Sequence, residues 1–290
     1  MRVLLFVNPR SRRGRRLGAA VREELTRNGI EPVAESAAGG HIDAVVVAGG
    51  DGTIARYISR AIELNVPLGI VPLGTFNDLA RTLAIPFDLA AACALIASGK
   101  TRRIDVARVN GAYYATEASV GISSRIARLQ KSADKQRFGF GAVALSVLRA
   151  VRFARPFRAE IAYDGKRASL RTVQLTVANG QSFGGFITVE DAAIDDGWLD
   201  LYAVEGAGLW PAIQVLAAII ARQGRSAQGV STFRSTTFLV STPRRHRITA
   251  DGEPAGTTPA RFEILPAALR VLAPELVTEQ NRFARQAEGT

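Results

Sequence analysis

A chain of 290 residues with 47% hydrophobic and 22% charged side chains exceeds one average domain and carries enough apolar material for two cores. A single cysteine, Cys93, excludes an internal disulfide framework, and two distant histidines, His41 and His246, exclude ordinary zinc spacings. The net charge of +11, carried by 33 arginines and 4 lysines, suits an anionic partner or is a compositional habit; without a helix-turn-helix, zinc finger or aromatic stacking motif, it predicts no nucleic-acid partner.

The opening MRVLLFVNPR passes from one Arg through a short apolar run into Asn-Pro, which lacks the h-region of a signal peptide and predicts a first strand of a cytoplasmic protein. Periodicity then predicts strands at 2–8, 43–48 and 68–71 and helices at 15–28, 53–64, 79–83 and 89–97, with Cys93 inside the last as a core residue. Alternating strands and helices argue for a parallel sheet covered by helices, whose ligands bind at the carboxyl ends of the strands. Three segments fall at such ends: Asn8-Pro9-Arg10-Ser11, Gly49–Thr53 and Pro72–Asp78.

Past residue 100 the period changes. Strands are expected at 102–109, 113–118, 158–163, 169–177, 200–204, 236–240, 247–250, 261–265 and 269–272, and an apolar helix at 138–153. The expected fold is therefore an α/β N-terminal domain, residues 1–104, followed by a mainly antiparallel β-sandwich, residues 105–273, with a tail, 274–290, that packs back on the first domain. The most apolar stretch, 208–221, is shorter than the roughly 20 residues a membrane-spanning helix requires.

Gly49-Gly50-Asp51-Gly52-Thr53 lies between a strand and a helix, where glycines let backbone N–H groups approach phosphate oxygens and the helix dipole favours an anion. Asp51 repels phosphate unless Mg²⁺ or water stands between them, so a polyphosphate with its metal reconciles the two; a tight turn whose Asp or Thr caps the next helix is the simpler alternative. In PLGTFNDLAR, Thr75 can donate to a nucleotide and Asp78 can cap a helix, while the five arginines of NPRSRRGRR stand beside the same sheet edge. Asp-Gly is also a common hairpin turn. Asp164-Gly165, between two alternating strands, is read as structure only, whereas Asp196-Gly197 and Asp251-Gly252 bring additional carboxylates.

Taken in order, Asn8-Pro9…Ser11, GGDGT, Pro72-x-Gly74-Thr75-x-Asn77-Asp78, Asp195-Asp196-Gly197-x-Leu199-Asp200 and Asp251-Gly252-Glu253-Pro254 resemble the soluble diacylglycerol kinase and sphingosine kinase family of lipid kinases. The resemblance implies an ATP-binding α/β domain, a C-terminal β-sandwich and an active site in the cleft between them. By that similarity Asn8, Ser11, Gly49, Gly50, Asp51, Gly52, Thr53 and Thr75 would hold ATP. Glu253 would be the general base for a lipid hydroxyl, with Asp251 beside it. Asp196 would bind a structural Mg²⁺, helped by main-chain carbonyls near Ala193 and Trp198, and Asp105 would link that ion to the cleft through water.

The chain departs from the family at Ile54-Ala55-Arg56, where Ile/Leu-Asn-Glu is usual, at the short 35–49 connection, which affects a Ser36 contact, and at Ala118–Gly121. The expected activity is transfer of a phosphoryl group from ATP to a lipid hydroxyl at an anionic membrane surface, with apolar segments 138–147 and 209–220 and Arg149, Arg152, Arg155 and Arg222 offered to lipid. An NAD kinase acting on a soluble nucleotide, and a non-catalytic nucleotide or lipid sensor, are the alternatives. Phospholipid biosynthesis is the implied setting, and a homodimer is left open.

Overall fold

The chain opens with β1 (Arg2–Val7), α1 (Arg12–Arg27), the short β2 (Glu31–Val33), β3 (Ala44–Gly49), α2 (Asp51–Glu63), β4 (Leu68–Pro72), α3 (Asp78–Thr82) and α4 (Leu89–Ala97). β2, β1, β3 and β4 lie side by side in that order, all parallel. Their sequences are continuous apolar runs because both sheet faces are covered. Successive side chains point to opposite faces. Thus Val3, Leu5, Val46 and Ala48 meet Val21 and Leu25 of α1 and Cys93 and Ile96 of α4. Leu4, Phe6, Val45 and Val47 meet Ile54 and Ile58 of α2 and Leu79 of α3. Burying each larger aliphatic side chain contributes roughly 1.5–3 kcal/mol. Burial also pushes the Cys93 thiol up to about 11, so it acts as a small core residue.

The computed structural model describes residues 1–8, 12–35, 40–74, 77–122, 155–180, 182–183, 187–188, 193–205 and 229–275. The expectations for Ser11, Ser36, Thr75, the helix at 138–153, the segment 208–221 and the tail from 276 onward lie outside these residues.

The second half is built from β5 (Thr101–Val109), β6 (Ala112–Tyr114), β7 (Glu117–Gly121), β8 (Phe157–Tyr163), β9 (Lys166–Ala178), β10 (Ser182–Phe183), β11 (Ile187–Thr188) and β12 (Leu199–Glu205). It continues with β13 (Val230–Ser235), β14 (Thr237–Ser241), β15 (Arg247–Ala250), β16 (Glu253–Thr257) and β17 (Ala260–Leu272). These strands pair with one another antiparallel. They enclose a second core with Tyr114, Val120, Leu175, Leu201, Phe238 and Phe262 at its centre. The architecture is the expected α/β unit followed by a β-sandwich.

Two long strands run through both cores. β5 and β17 pair along their length; Ala107, Val109, Phe262 and Ile264 sit in the sandwich core, and Ile104, Val106, Leu269 and Val271 in the first. Val271 then pairs with Leu68, so the end of β17 extends the parallel sheet. The two segments read as strands at 261–265 and 269–272 are therefore one strand with an irregularity between Leu265 and Leu269. The expected strand at 113–118 is instead two, because Ala115 and Thr116 turn their amides to a buried carboxylate, Asp251.

β2, β10, β11, β13 and β16 were not anticipated, and two of them have a compositional reason: Pro32 in β2, and Pro254 with Gly256 in β16, read as breakers. Among the described residues no helix is long and apolar enough to cross a membrane.

Candidate active site

The strand ends of the first sheet supply the floor of the site. β3 finishes at Gly49 and α2 starts directly at Asp51, with Gly50 at its N-cap in extended backbone and no side chain capping it. The Thr53 and Ile54 amides return to the Gly50 carbonyl at 2.8 and 3.0 Å. Asn8, just beyond β1, donates from Nδ2 to Thr53 Oγ1 at 3.1 Å and so ties the first loop to the second. The third loop lies equally close. A Cβ placed on Gly50 would stand 2.8 Å from the Gly74 Cα, and one on Gly74 would stand 2.4 Å from the Gly50 Cα. Neither position accepts a side chain, so two backbones form a bare cradle at a helix N-terminus.

Asn77 holds the cradle's far wall. It receives the Gly74 amide on Oδ1 at 2.8 Å and donates from Nδ2 to the Gly74 carbonyl at 3.1 Å. Arg13, near the start of α1, donates to the same carbonyl at 3.2 Å, which brings one of the early arginines to the cradle.

Asp51 does not face outward from this cradle. Its Oδ1 accepts from the Leu79 amide at 3.2 Å, so the carboxylate is directed to the start of α3. Burial pushes its carboxyl up, while the amides of Leu79, Asp51 itself, Asn77 and Asp78 pull it back. The acid between the glycines thus takes a neighbouring loop's donors as partners.

The opposite wall comes from the sandwich. β15 and β16 form a two-residue hairpin with Asp251 and Gly252 both at positive φ, 45° and 82°, the geometry that Asp-Gly accommodates. The Asp251 carboxylate is buried and accepts from the amides of Ala115, Thr116 and Glu117 at 2.8, 3.1 and 2.9 Å, and from the Thr116 hydroxyl. Three of these donors go to Oδ1 and one, the Ala115 amide, to Oδ2. Asp251, expected beside the base, anchors the turn through these bonds.

Glu253, the next residue after the turn, stands at the crossing between the two lobes. A Cβ on Gly52 would lie 3.2 Å from the Asp251 carbonyl and 3.3 Å from Glu253 Oε1. The glycine of the α2 start therefore admits the hairpin tip by having no side chain. The other Glu253 oxygen, Oε2, accepts from Arg56 Nη2 at 2.9 Å. Arg56, read as the loss of a polar family residue, is a cross-lobe ion-pair partner of Glu253.

Sequence reading missed two further residues. Glu117, half-buried at the start of β7, is pushed up to about 8 by burial, then by the charges of Asp251, Asp78 and Asp51. Its only sequence signal is an acid in an otherwise small and apolar strand. Asn179, buried after β9, donates to the carbonyls of Asp105 and Ala115, both at 3.0 Å. Asn179-Gly180 after a strand is a turn signal, but its partners are not local.

The high Glu117 value has a consequence for stability. Relative to an ordinary 4.5, a folded-state value of about 8 means that below 4.5 the group is protonated folded or unfolded, whereas above 8 folding buries a charge. Stability relative to Glu117→Gln should therefore fall as pH rises from about 4.5 through about 8, then level off. The variant is expected to be more stable than the parent at pH 9 and about equal to it at pH 4. Urea midpoints at the two pH values check it.

The residues expected to hold a structural Mg²⁺ are close together, and their carboxylates have partners within the chain. Asp196 Oδ1 accepts from the Trp198 amide at 3.0 Å, and Oδ2 from the Ala193 amide at 3.2 Å and from the Arg234 guanidinium. Asp105 is buried on β5, its Oδ1 accepting from the Ala267 amide and its Oδ2 from the Gly197 amide, both at 2.7 Å. Amide hydrogens and a guanidinium point at these oxygens where a cation would need bare acceptors. Among the described residues no group of three metal-ligating side chains converges anywhere.

Known proteins show the same architecture. Residues 2–109 match the family model of the diacylglycerol kinase catalytic domain, and residues 116–273 match that of the YegS C-terminal NAD kinase beta sandwich-like domain. A protein of Bacillus subtilis (strain 168) named diacylglycerol kinase is 31% identical over 251 residues, 85% of this chain and 83% of that one. A protein of Klebsiella pneumoniae (strain 342), named probable lipid kinase YegS-like, is 32% identical over 81% of this chain and 79% of its own. A solved diacylglycerol kinase structure from Bacillus anthracis str. Sterne superposes with a TM-score of 0.73 at 24% identity, covering 96% of this chain and 98% of the other, and shares the fold. With both halves matched in order around the glycine cradle and the Glu253 hairpin, the chain belongs to the diacylglycerol kinase and YegS-like family of lipid kinases.

Proposed function

We propose that the chain transfers the γ-phosphoryl group of ATP to the hydroxyl of a lipid, with the reaction carried out between the α2 start and the Asp251-Gly252 hairpin. The observation that carries this reading is the approach of Glu253 to Gly52, which sets a carboxylate against a phosphate-sized backbone cradle across the two lobes. The loop suits a polyphosphate because its helix N-terminus has no side-chain cap and its glycines let the neighbouring backbones approach closely. Asn8, Ser11, Gly49, Gly50, Gly52, Thr53 and Thr75 would hold the nucleotide. ATP with its Mg²⁺ supplies the transferable phosphoryl group and neutralises charge as that group moves.

This chain's part is to position and to take a proton. Arg56 holds Glu253 by Oε2, and the carboxylate, with Oε1 beside Gly52, would receive the proton of the acceptor hydroxyl. Asp51 and Asp251 hold the two walls rigid through buried hydrogen bonds. Arg13 adds positive charge at the cradle's edge, where it would favour phosphate. The net charge of +11 suits a peripheral, cytoplasmic encounter with an anionic membrane carrying the lipid.

ADP release measured with mixed lipid micelles, with NAD and with neither tests the reading. Release that depends on the micelles is expected. Release that depends on NAD instead would transfer the assignment to a soluble-nucleotide kinase, and tight ATP binding without turnover to a sensor.

A further inference from the structure

The segment 193–198 and the residues around it carry four carboxylates, Asp105, Asp195, Asp196 and Asp200, at the junction of the two cores. Each has a cationic or main-chain partner from the chain itself. Asp105 receives the amides of Gly197 and Ala267, and its own amide donates to the Ile194 carbonyl at 2.9 Å. Asp195 pairs with Arg102 at 2.6 Å. Asp196 pairs with Arg234, whose Nε also lies 4.0 Å from Asp200 and whose guanidinium stands 5.8 Å from the centre of the Trp198 ring. Arg234 belongs to β13, which pairs with β12 directly after the segment, and Asp200 is its register partner. The guanidinium is therefore fixed by the sheet opposite the loop it touches.

We propose that Arg234 is a built-in cation that closes the 193–198 segment over Asp196, so that this fold needs no divalent ion at that position. A guanidinium satisfies a carboxylate with directed N–H donors and is weakly hydrated. Mg²⁺ requires a near-octahedral set of oxygens and gives up water reluctantly, and here it would have to compete with the arginine and two amides for one carboxylate. The consequence reaches the active site through Asp105, whose carbonyl accepts from Asn179; Asn179 also holds the Ala115 carbonyl, and the Ala115 amide holds Asp251. Arg234 thus stands at the far end of the hydrogen-bonded brace beneath the Glu253 hairpin. This inference is independent of which acceptor the enzyme uses.

The test uses nucleotide-free full-length protein purified without chelator. Metal content by elemental analysis and Tm with EDTA or added MgCl₂ are measured for the parent, Arg234→Met and Arg234→Lys. The expected result is less than one tenth equivalent of divalent metal in the parent, about the same Tm in EDTA and in Mg²⁺, a Tm lower by roughly 3–6 °C for Arg234→Met, and a smaller fall for Arg234→Lys. One equivalent of tightly held metal in the parent, a Tm lowered by EDTA, or an Arg234→Met Tm equal to that of the parent overturns the proposal. The first two measurements stand even where the methionine variant does not fold.

Discussion

Glu253→Gln is expected to lower the rate of lipid phosphorylation by about 10²–10⁴-fold, the usual contribution of a positioned general base. Glutamine keeps the volume and an acceptor beside Gly52 but cannot take a proton, so ATP affinity and the unfolding midpoint should change little. The ion pair with Arg56 makes a companion variant informative. Arg56→Ala should reduce turnover less than Glu253→Gln, because it frees the carboxylate to wander without removing it. Exposed ion pairs contribute little to stability, so any loss belongs to positioning. Steady-state kinetics on mixed micelles with a fixed lipid fraction checks the order; equal activity in Glu253→Gln and the parent would remove the base.

Asp251→Ala should be the most destabilising change at the site, by about 3–5 kcal/mol. The alanine would leave the amides of Ala115, Thr116 and Glu117 and the Thr116 hydroxyl buried without their acceptor, and would release the turn that presents Glu253. Asp251→Asn should recover only part of the loss, since its NH₂ faces amide donors. Denaturant midpoints measure the effect. An unchanged midpoint with abolished turnover would return Asp251 to a chemical role, against the anchoring one assigned by its hydrogen bonds.

The sequence was most informative where cause and effect are adjacent in the chain. The apolar runs ending in Gly49 and Pro72 are buried on both faces, and that alone makes them parallel strands with functional loops at their ends. Asp164-Gly165 likewise is the two-residue turn between β8 and β9, as its flanking alternation requires. The family resemblance identified the two acidic turns of the sandwich, and periodicity placed the change of fold class near residue 100.

Partners were not legible, because they are distant. Asp51 bonds to Leu79, 28 positions later; Asp251 bonds to residues 134 to 136 positions earlier; Arg56 and Glu253 are 197 apart. Nothing in a local pattern tells an acid that caps a neighbouring loop from one that faces a metal. The same blindness hid Arg234 as a partner of Asp196, since it lies 38 residues on, in a strand the periodicity did not predict. Glu117 was overlooked because an acid at a strand start is ordinary on a solvated face, and only the fold surrounds it with other acids.

The central claim is that the Gly50–Gly52 cradle and Glu253 form one phosphoryl-transfer site with a lipid acceptor. Incubating the protein with γ-labelled ATP and diacylglycerol-type mixed micelles, then extracting into chloroform, measures it directly. The account predicts label in the organic phase from the parent and about 10²-fold less or lower from Glu253→Gln. Label that stays wholly in the aqueous phase across a panel of lipid alcohols, with ATP consumed, would contradict it.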